Sequence, residues 1–456
     1  PKFERPMIPT DKDLWFLPLG GCGEIGMNLN LFGHNGSWLM VDCGITFEDS
    51  VTSRTGNRVE MPDPLFIANR HEALAGIIAT HAHEDHIGAL PHLWVQLRCP
   101  IYTTPFTRNV VARKFAQAGI RAPLVTVHPG ETIEIGPFKV TWVPITHSTP
   151  ETNGLLIDTP AGRVLHTADW KVDLAPVIGE PIQPKLFQSI GDRGVGTIIC
   201  DSTNAPIKGS STSESSLFDG LLAAVQASPQ RVVVACFSSN VARLQTIGNV
   251  AHVAGRYIGL LGRSLINMHG CARGAGYLSD NFNLVQSNHL GYMPPEEVLA
   301  IATGSQGEVG AALYRLAQDS HPDVSLAAGD HVIFSSKTIP GNEIEVASLI
   351  AMFEARGIRV TQNDFEGKPI HATGHPCAEE LQQMYQWIRP RVAVPVHGEA
   401  RHMDSNARIA AGCGVPVQLR GQNGDLFDLV LDKVKSSAAP VGRLWFDERK
   451  RVLEKV

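Results

Sequence analysis

The sequence is short of charge, of paired cysteines and of long apolar runs, and each shortage excludes something. Charged residues make up 18% of the 456 positions and hydrophobic ones 43%. Disorder needs the opposite balance, so a folded chain with a sizeable core is expected. No apolar stretch approaches the ~20 residues of a membrane-spanning helix. The opening Pro1-Lys2-Phe3-Glu4-Arg5 lacks the basic-then-apolar layout of a secretory signal, and there is no initiator Met, which leaves the natural start open. The 8 cysteines contain no CxxC pair. That argues against a zinc ribbon or a thioredoxin-type centre and suits single thiols in a reducing cytoplasm. A net charge of −6 excludes a protein coated in basic patches. A local basic groove on an acidic whole still permits nucleic acid.

What the sequence has in quantity is histidine, 18 in all, and many of them cluster. Residues 14–80 read as β-rich, with short strands at Trp38–Val41, ending in Asp42-Cys43-Gly44, and at Ala75–Thr80. Residues 87–97 read as helix, and 125–170 as strands separated by Gly/Pro turns. From about 197 strands and helices alternate: strands at 196–200, 231–237, 298–303 and 331–334, helices over 214–228, from 241, from 307 and over 342–356. This is the βαβ pattern of a parallel sheet flanked by helices. Residues 377–388 read as helix, Val392–Val396 as a strand running into His397, and 435–440 as a linker.

Thr80-His81-Ala82-His83-Glu84-Asp85-His86 carries the strongest chemical signal. It puts three imidazoles and two carboxylates at the end of an apolar strand, and an ordinary polar loop has no reason to gather so many ligand-type side chains. Imidazole nitrogens suit Zn²⁺. A strand-to-helix loop lets the ligands diverge to two metals, His81 with His83 on one, Asp85 with His86 on the other. Three later residues also stand at the tips of apolar strands: His147 after Val143-Pro144-Ile145-Thr146, Asp169 after Val164–Ala168, and His397 after Val394-Pro395-Val396.

In this order the residues resemble the metallo-β-lactamase superfamily. The resemblance implies an α/β fold, a four-layer αββα sandwich. It also implies that His81, His83 and His147 hold one zinc ion, that Asp85, His86 and His397 hold another, and that Asp169 bridges them. The long stretch between Asp169 and His397 is the layout of the β-CASP nucleases. Asp201-Ser202-Thr203-Asn204-Ala205, Phe237-Ser238-Ser239-Asn240, Thr303-Gly304-Ser305-Gln306-Gly307-Glu308, the run Ser335–Glu343, His371-Ala372-Thr373-Gly374-His375 and Pro395-Val396-His397-Gly398-Glu399 together resemble the bacterial ribonuclease J family over nearly the whole chain. Glu214, His375 and His397 match that group's motifs A, B and C. A His at motif C is the variant associated with RNA-acting members. Two departures stand out: His147-Ser148-Thr149-Pro150-Glu151 replaces the usual His-Ser-Ile-Pro-Asp, and His371-Ala372-Thr373 replaces His-Val-Ser.

The expectation that follows is a sandwich over 1–205, an inserted β-CASP α/β lobe over 206–365, a returning part over 366–434, and a linker over 435–456 leading toward a C-terminal domain that the chain does not include. By resemblance the activity is zinc-dependent hydrolysis of RNA, exonucleolytic from the 5′ end with endonuclease activity beside it, leaving 5′ phosphates, in cytoplasmic RNA processing and decay by a homodimer or homotetramer with no membrane partner. Asp85, Glu214 and His375 are the catalytic candidates. His375 would protonate the leaving oxygen, and Glu214 would accept from a metal-bound His. His371, Thr373, Gly374, His375, Ser238, Ser239 and Ser305 are the candidates for holding RNA and its 5′ monophosphate. Gly/Ser/Thr loops at successive strand ends offer N–H and hydroxyl donors to phosphate, although any one of them also reads as an ordinary turn or helix cap. His166 reads as structural, and His34, His71, His92 and His128 as satisfied or surface residues. Two other classes stay open: a non-catalytic RNA-binding subunit of a decay complex, and another hydrolase of the same fold, a DNA nuclease included.

Overall fold

The computed structural model describes residues 7–48, 58–278 and 282–456. The expectation placed on Pro1–Arg5 lies outside them.

Two sheets face each other. One runs, edge to edge, through Lys433–Lys435, Leu426–Asp428, Trp15–Gly20, Leu29–His34, Ser37–Val41, Leu74–Ile78, Ile101–Thr103 and Leu124–Thr126. The other runs through Val417–Gln418, Val392–Val396, Thr197–Asp201, Gly162–His166, Asn153–Thr159, Phe138–Pro144 and Thr132–Ile135. Leu39, Val41 and Ile78 of the first pack with Trp142, Ile157 and Val394 of the second in one buried cluster. Burying such side chains is worth about 1.5–3 kcal/mol each, and this sets the two sheets face to face. The outer face of the first sheet is covered by helices including Leu90–Leu97 and Pro105–Ala118. That of the second is covered by Pro184–Asp192, Ala378–Ile388 and Ala400–Gly412. The layers are therefore α, β, β, α.

In the chain between the sandwich strands Thr197–Asp201 and Val392–Val396 lies a separate, wholly parallel sheet in the order Tyr257–Leu261, Val298–Ala302, Val232–Ala235, His331–Phe334, Arg359–Thr361. Its strands are near-continuous apolar runs because helices cover both faces. Its helices Leu217–Gln226 and Val241–Ala254 share a hydrophobic cluster with the sandwich, so lobe and sandwich are packed together.

Two elements differ from the sequence reading. The helix expected from Gly307 is Ala312–Ala317; Gly307 and Gly310 take φ of 81° and 84°, left-handed values that a helix does not admit. The stretch expected as a linker contains the strands Arg443–Asp447 and Val452–Lys455, which pair with each other, and the first of them also pairs with Arg58–Pro62. Leu444 is buried there, Phe446 stacks 4.5 Å from His92, and Arg443 pairs with Glu24 and Glu60.

Candidate metal centre and its surroundings

The strands deliver the polar side chains to one end of the sandwich. Leu74–Ile78 runs into the His81–His86 loop, Phe138–Pro144 into His147, Gly162–His166 into Asp169, and Val392–Val396 into His397. The structure brings all seven together in two groups. His81, His83, His147 and Asp169 each offer an atom within 4.8 Å of the others, and so do Asp85, His86, Asp169 and His397. Asp169 belongs to both. Its Oδ2 lies 3.5 Å from His81 Nε2, 3.8 Å from His147 Nε2, 3.0 Å from His86 Nε2 and 3.7 Å from His397 Nε2.

Four of the five rings are oriented from behind. Thr80 gives its hydroxyl proton to Asp42, so its oxygen is left to accept from His81 Nδ1–H at 2.9 Å. His86 Nδ1 donates to Asp42 Oδ2 at 2.6 Å, His147 Nδ1 to the Gly374 carbonyl at 2.5 Å, and His397 Nδ1 to Asn28 Oδ1 at 2.8 Å. In His81, His147 and His397 the proton is on the outer nitrogen and the lone pair on Nε2 points inward, while His86 Nε2 faces Asp169 Oδ2 at 3.0 Å. Partners of this kind are what hold metal-ligating histidines in place.

Two observations test whether these residues fit a cation. Among the described residues His81 Nε2 is buried with no hydrogen-bond partner of good geometry, Asp169 Oδ2 standing 3.5 Å away, a costly state for a polar atom. His147 Nε2 and His83 Nδ1 converge to 3.1 Å, so two imidazole nitrogens reach one point. A shared cation answers both. Electrostatics agree. Burial pushes the pKa of His83 and His147 well below the imidazole range, so both are neutral as ligands must be. Burial also opposes charge on His86, but Asp169, Asp85 and Asp42 outweigh it and hold its pKa well above normal, a sign of uncompensated negative charge around it. The backbone is strained here too: Asp42, Ala168 and His397 take φ of 68°, 54° and 53°, in the left-handed region that non-glycine residues rarely occupy.

The other candidates surround this centre. His375 donates from Nδ1 to Asp201 Oδ2 at 2.6 Å and stacks on His397 with ring centroids 5.5 Å apart. Burial lowers its pKa, but Asp201, then Asp169 and Asp85, carry it up to about 9. The Thr373 hydroxyl accepts from Asn204 at 2.8 Å. At Gly374 a Cβ would sit 2.8 Å from the His147 ring, so the missing side chain makes room for that ring. Ser238 and Ser239 follow Val232–Ala235, and Ser305 follows Val298–Ala302, at the same end of the parallel sheet as Ser335. Among the described residues none of these three serines bonds directly to His371 or Thr373.

Glu214 does not accept from a histidine of the centre. Its carboxylate takes Arg243 Nε at 2.8 Å and Nη2 at 3.3 Å. Arg243 is 1% exposed, and a buried guanidinium needs a carboxylate beside it. Sequence reasoning missed Arg243, Asn28 and Asp42 as site residues. Only Asp42 left a trace, as the polar residue after an apolar strand. Glu151 accepts from Phe106 N–H at 2.8 Å and from the Tyr277 hydroxyl at 2.6 Å, joining sandwich and lobe. His166 accepts from the Ala168 N–H, and His34, His71 and His128 have local partners, as expected of structural and surface residues.

Fold and centre define a metal-dependent hydrolase of the metallo-β-lactamase superfamily with a β-CASP insertion. Family models match in three consecutive blocks: a beta-lactamase superfamily domain over 37–185, the ribonuclease J beta-CASP domain over 229–353, and a Zn-dependent metallo-hydrolase RNA specificity domain over 368–418. The chain belongs to the ribonuclease J family, and is a metal-dependent ribonuclease. It is 40% identical to ribonuclease J of Sinorhizobium meliloti, covering 96% of this chain and 78% of that one. It is 38% identical to those of Mycolicibacterium smegmatis (94% and 77% covered) and Mycobacterium tuberculosis (96% and 79% covered). A solved Enterococcus faecalis protein of unknown function shares the fold at a TM-score of 0.63 and 13% identity, covering 91% of this chain and all of that one.

Proposed function

We propose that the chain hydrolyses RNA phosphodiesters with two zinc ions, as a 5′-to-3′ exonuclease that prefers 5′-monophosphorylated ends and also cuts internally. The division of seven ligand atoms into two sets sharing Asp169 supports this above all. His81, His83 and His147 would hold one ion, Asp85, His86 and His397 the other. Ions bound there supply charge for the phosphoryl oxygens and lower the pKa of water toward 7. The chain's own part is proton placement. Asp201 fixes His375 through Nδ1 and keeps the ring protonated at neutral pH, with Nε2–H free to protonate the leaving 3′ oxygen. Arg243 and Glu214 are positioning residues behind the His371–His375 loop. His371, Thr373, Ser238, Ser239 and Ser305 form the pocket for the 5′ phosphate, which measures off one nucleotide at a time. Contact through phosphate and not bases fits decay of many sequences. Among the described residues no helix is long and apolar enough to cross a membrane; a cytoplasmic homodimer or homotetramer is the assembly the family relationship supports.

The test is His86→Ala. It should reduce bound metal by one ion per chain and remove most hydrolysis with the far-UV spectrum unchanged. Near-normal turnover with a single ion would sink the two-metal reading. In parallel, RNAs of one sequence with a 5′ monophosphate or triphosphate should differ in rate and both give mononucleotide ladders. Equal rates and internal products only would remove the 5′-end assignment.

A further inference from the structure

One buried side chain organises the 5′-end pocket without reaching the centre. Arg243 lies in the first turn of the helix Val241–Ala254, where its N–H is capped by Asn240. Besides Glu214, its guanidinium donates to the Ser335 carbonyl at 2.8 Å, the Ser335 hydroxyl at 2.9 Å and the Ala372 carbonyl at 3.2 Å, and it meets His371 Nδ1 at 3.1 Å. It thus ties a strand end of the lobe to the first two residues of the His371–His375 loop.

The contact with His371 has a direction. A guanidinium has five N–H donors and no acceptor, and two donors do not face each other at 3.1 Å. Nδ1 of His371 is therefore the acceptor. The Ser335 carbonyl beside the ring accepts from Arg243 and, with its second lone pair, favours a proton on the ring. A neutral imidazole carries one proton, which is then on Nε2. Burial and the adjacent guanidinium push the His371 pKa down to about 3, so the ring is neutral in ordinary buffer.

We propose that Arg243 fixes the hydrogen-bonding polarity of the 5′-end pocket, holding His371 as the Nε2–H tautomer so that a terminal phosphate meets a neutral N–H donor. The inference rests on the 5′-phosphate reading above and adds to it the nature of the contact. Selection of a phosphate end at this position comes from an oriented donor and not from a second cation.

The experiment uses Arg243→Lys and, because Glu214 must not be left buried and unpaired, the double change Arg243→Met with Glu214→Gln. Lysine keeps the charge but is a point donor that cannot serve four partners at once. Two quantities are read: kcat and KM on 5′-monophosphate and 5′-hydroxyl RNA of one sequence, and ¹⁵N shifts of the His371 ring in metal-free protein, assigned against His371→Asn. The expected result is a fall of about tenfold in the monophosphate preference, carried by KM, the scale of one hydrogen bond to a charged group. The ¹⁵N pattern should pass from a single Nε2–H tautomer to a mixture. An unchanged tautomer, or a parallel loss on both RNAs, overturns the proposal. If His371→Asn itself leaves the preference intact, the 5′-phosphate pocket is wrong and this inference goes with it. If His371→Asn abolishes the preference while Arg243→Lys keeps it, only the role of Arg243 is wrong.

Discussion

His375 and Asp201 form the pair whose removal separates proton transfer from metal binding. His375→Ala should lower turnover by ~10²–10⁴-fold, the range for a positioned proton donor. Metal content should stay at the wild-type level, because the seven ligand atoms are elsewhere. An RNA with a better leaving group at the scissile bond should recover much of the rate. Metal lost from this variant would mean that His375 is itself a ligand, which its place beside Asp169, Asp201 and His397 makes the sharpest alternative. Asp201→Asn keeps the shape and removes the charge that raises the His375 pKa, so the alkaline limb of the pH–rate profile should move to lower pH. A profile that does not move would show that another group donates the proton.

Among the elements, the loop between Leu74–Ile78 and Leu90–Leu97 is held by backbone bonds as well as by side chains. The N–H of Cys43 donates to the His86 carbonyl at 2.8 Å, and that of Asn28 to the Asp85 carbonyl at 2.9 Å. Gly44 closes against the same loop so tightly that a Cβ would lie 1.7 Å from the Asp85 carbonyl oxygen. Gly44→Ala must move backbone at two ligands. We expect weaker metal binding and a loss of stability of about 1–3 kcal/mol, the range for overpacking, read by metal titration and thermal melting. Wild-type values in both would mean that the loop has slack. Nothing local in the sequence marks Gly44 this way. The ligand candidates were legible because each ends an apolar strand, and strand ends are local signals. The alternating strands and helices after residue 197 were legible for the same reason. The residues that orient the ligands were not, since Asn28 reaches His397, and Arg243 reaches Glu214 and His371, through tertiary pairings that have no fixed spacing. Glu214 was misread because a carboxylate at a motif position does not say which partner the fold will bring to it. The hairpin of Arg443–Asp447 and Val452–Lys455 was missed because the strand that anchors it, Arg58–Pro62 against Arg443–Asp447, lies at the other end of the chain.

For the molecule as a whole, the sheets and not the metals carry the burial. Chelation should abolish hydrolysis while the far-UV spectrum and the cooperative melt persist, with activity returning on addition of zinc; unfolding on chelation would contradict this. Acid should act in part through the lobe. His331 is buried between the hydroxyls of Ser228 and Thr361, each 2.6 Å away, and burial with Arg359 and Arg256 nearby pushes its pKa down to about 4. In the unfolded chain it titrates near ~6.5. Between those values the unfolded state takes up a proton that the folded state refuses. The stability is whole above ~6.5, falls as pH drops toward 4 and then levels off. His331→Asn should flatten the melting temperature against pH across that window, and an unchanged slope would assign the acid sensitivity elsewhere. The sandwich strand Val392–Val396 lies directly beside Thr197–Asp201, yet the entire parallel sheet is strung between them in the chain. Contacts between such distant positions form late, after the local ones. A chain growing on the ribosome therefore has no complete donor set until His397 has emerged and the strand before it has docked beside Thr197–Asp201, so the cleft is assembled by the longest-range pairing in its sheet rather than by the local ones.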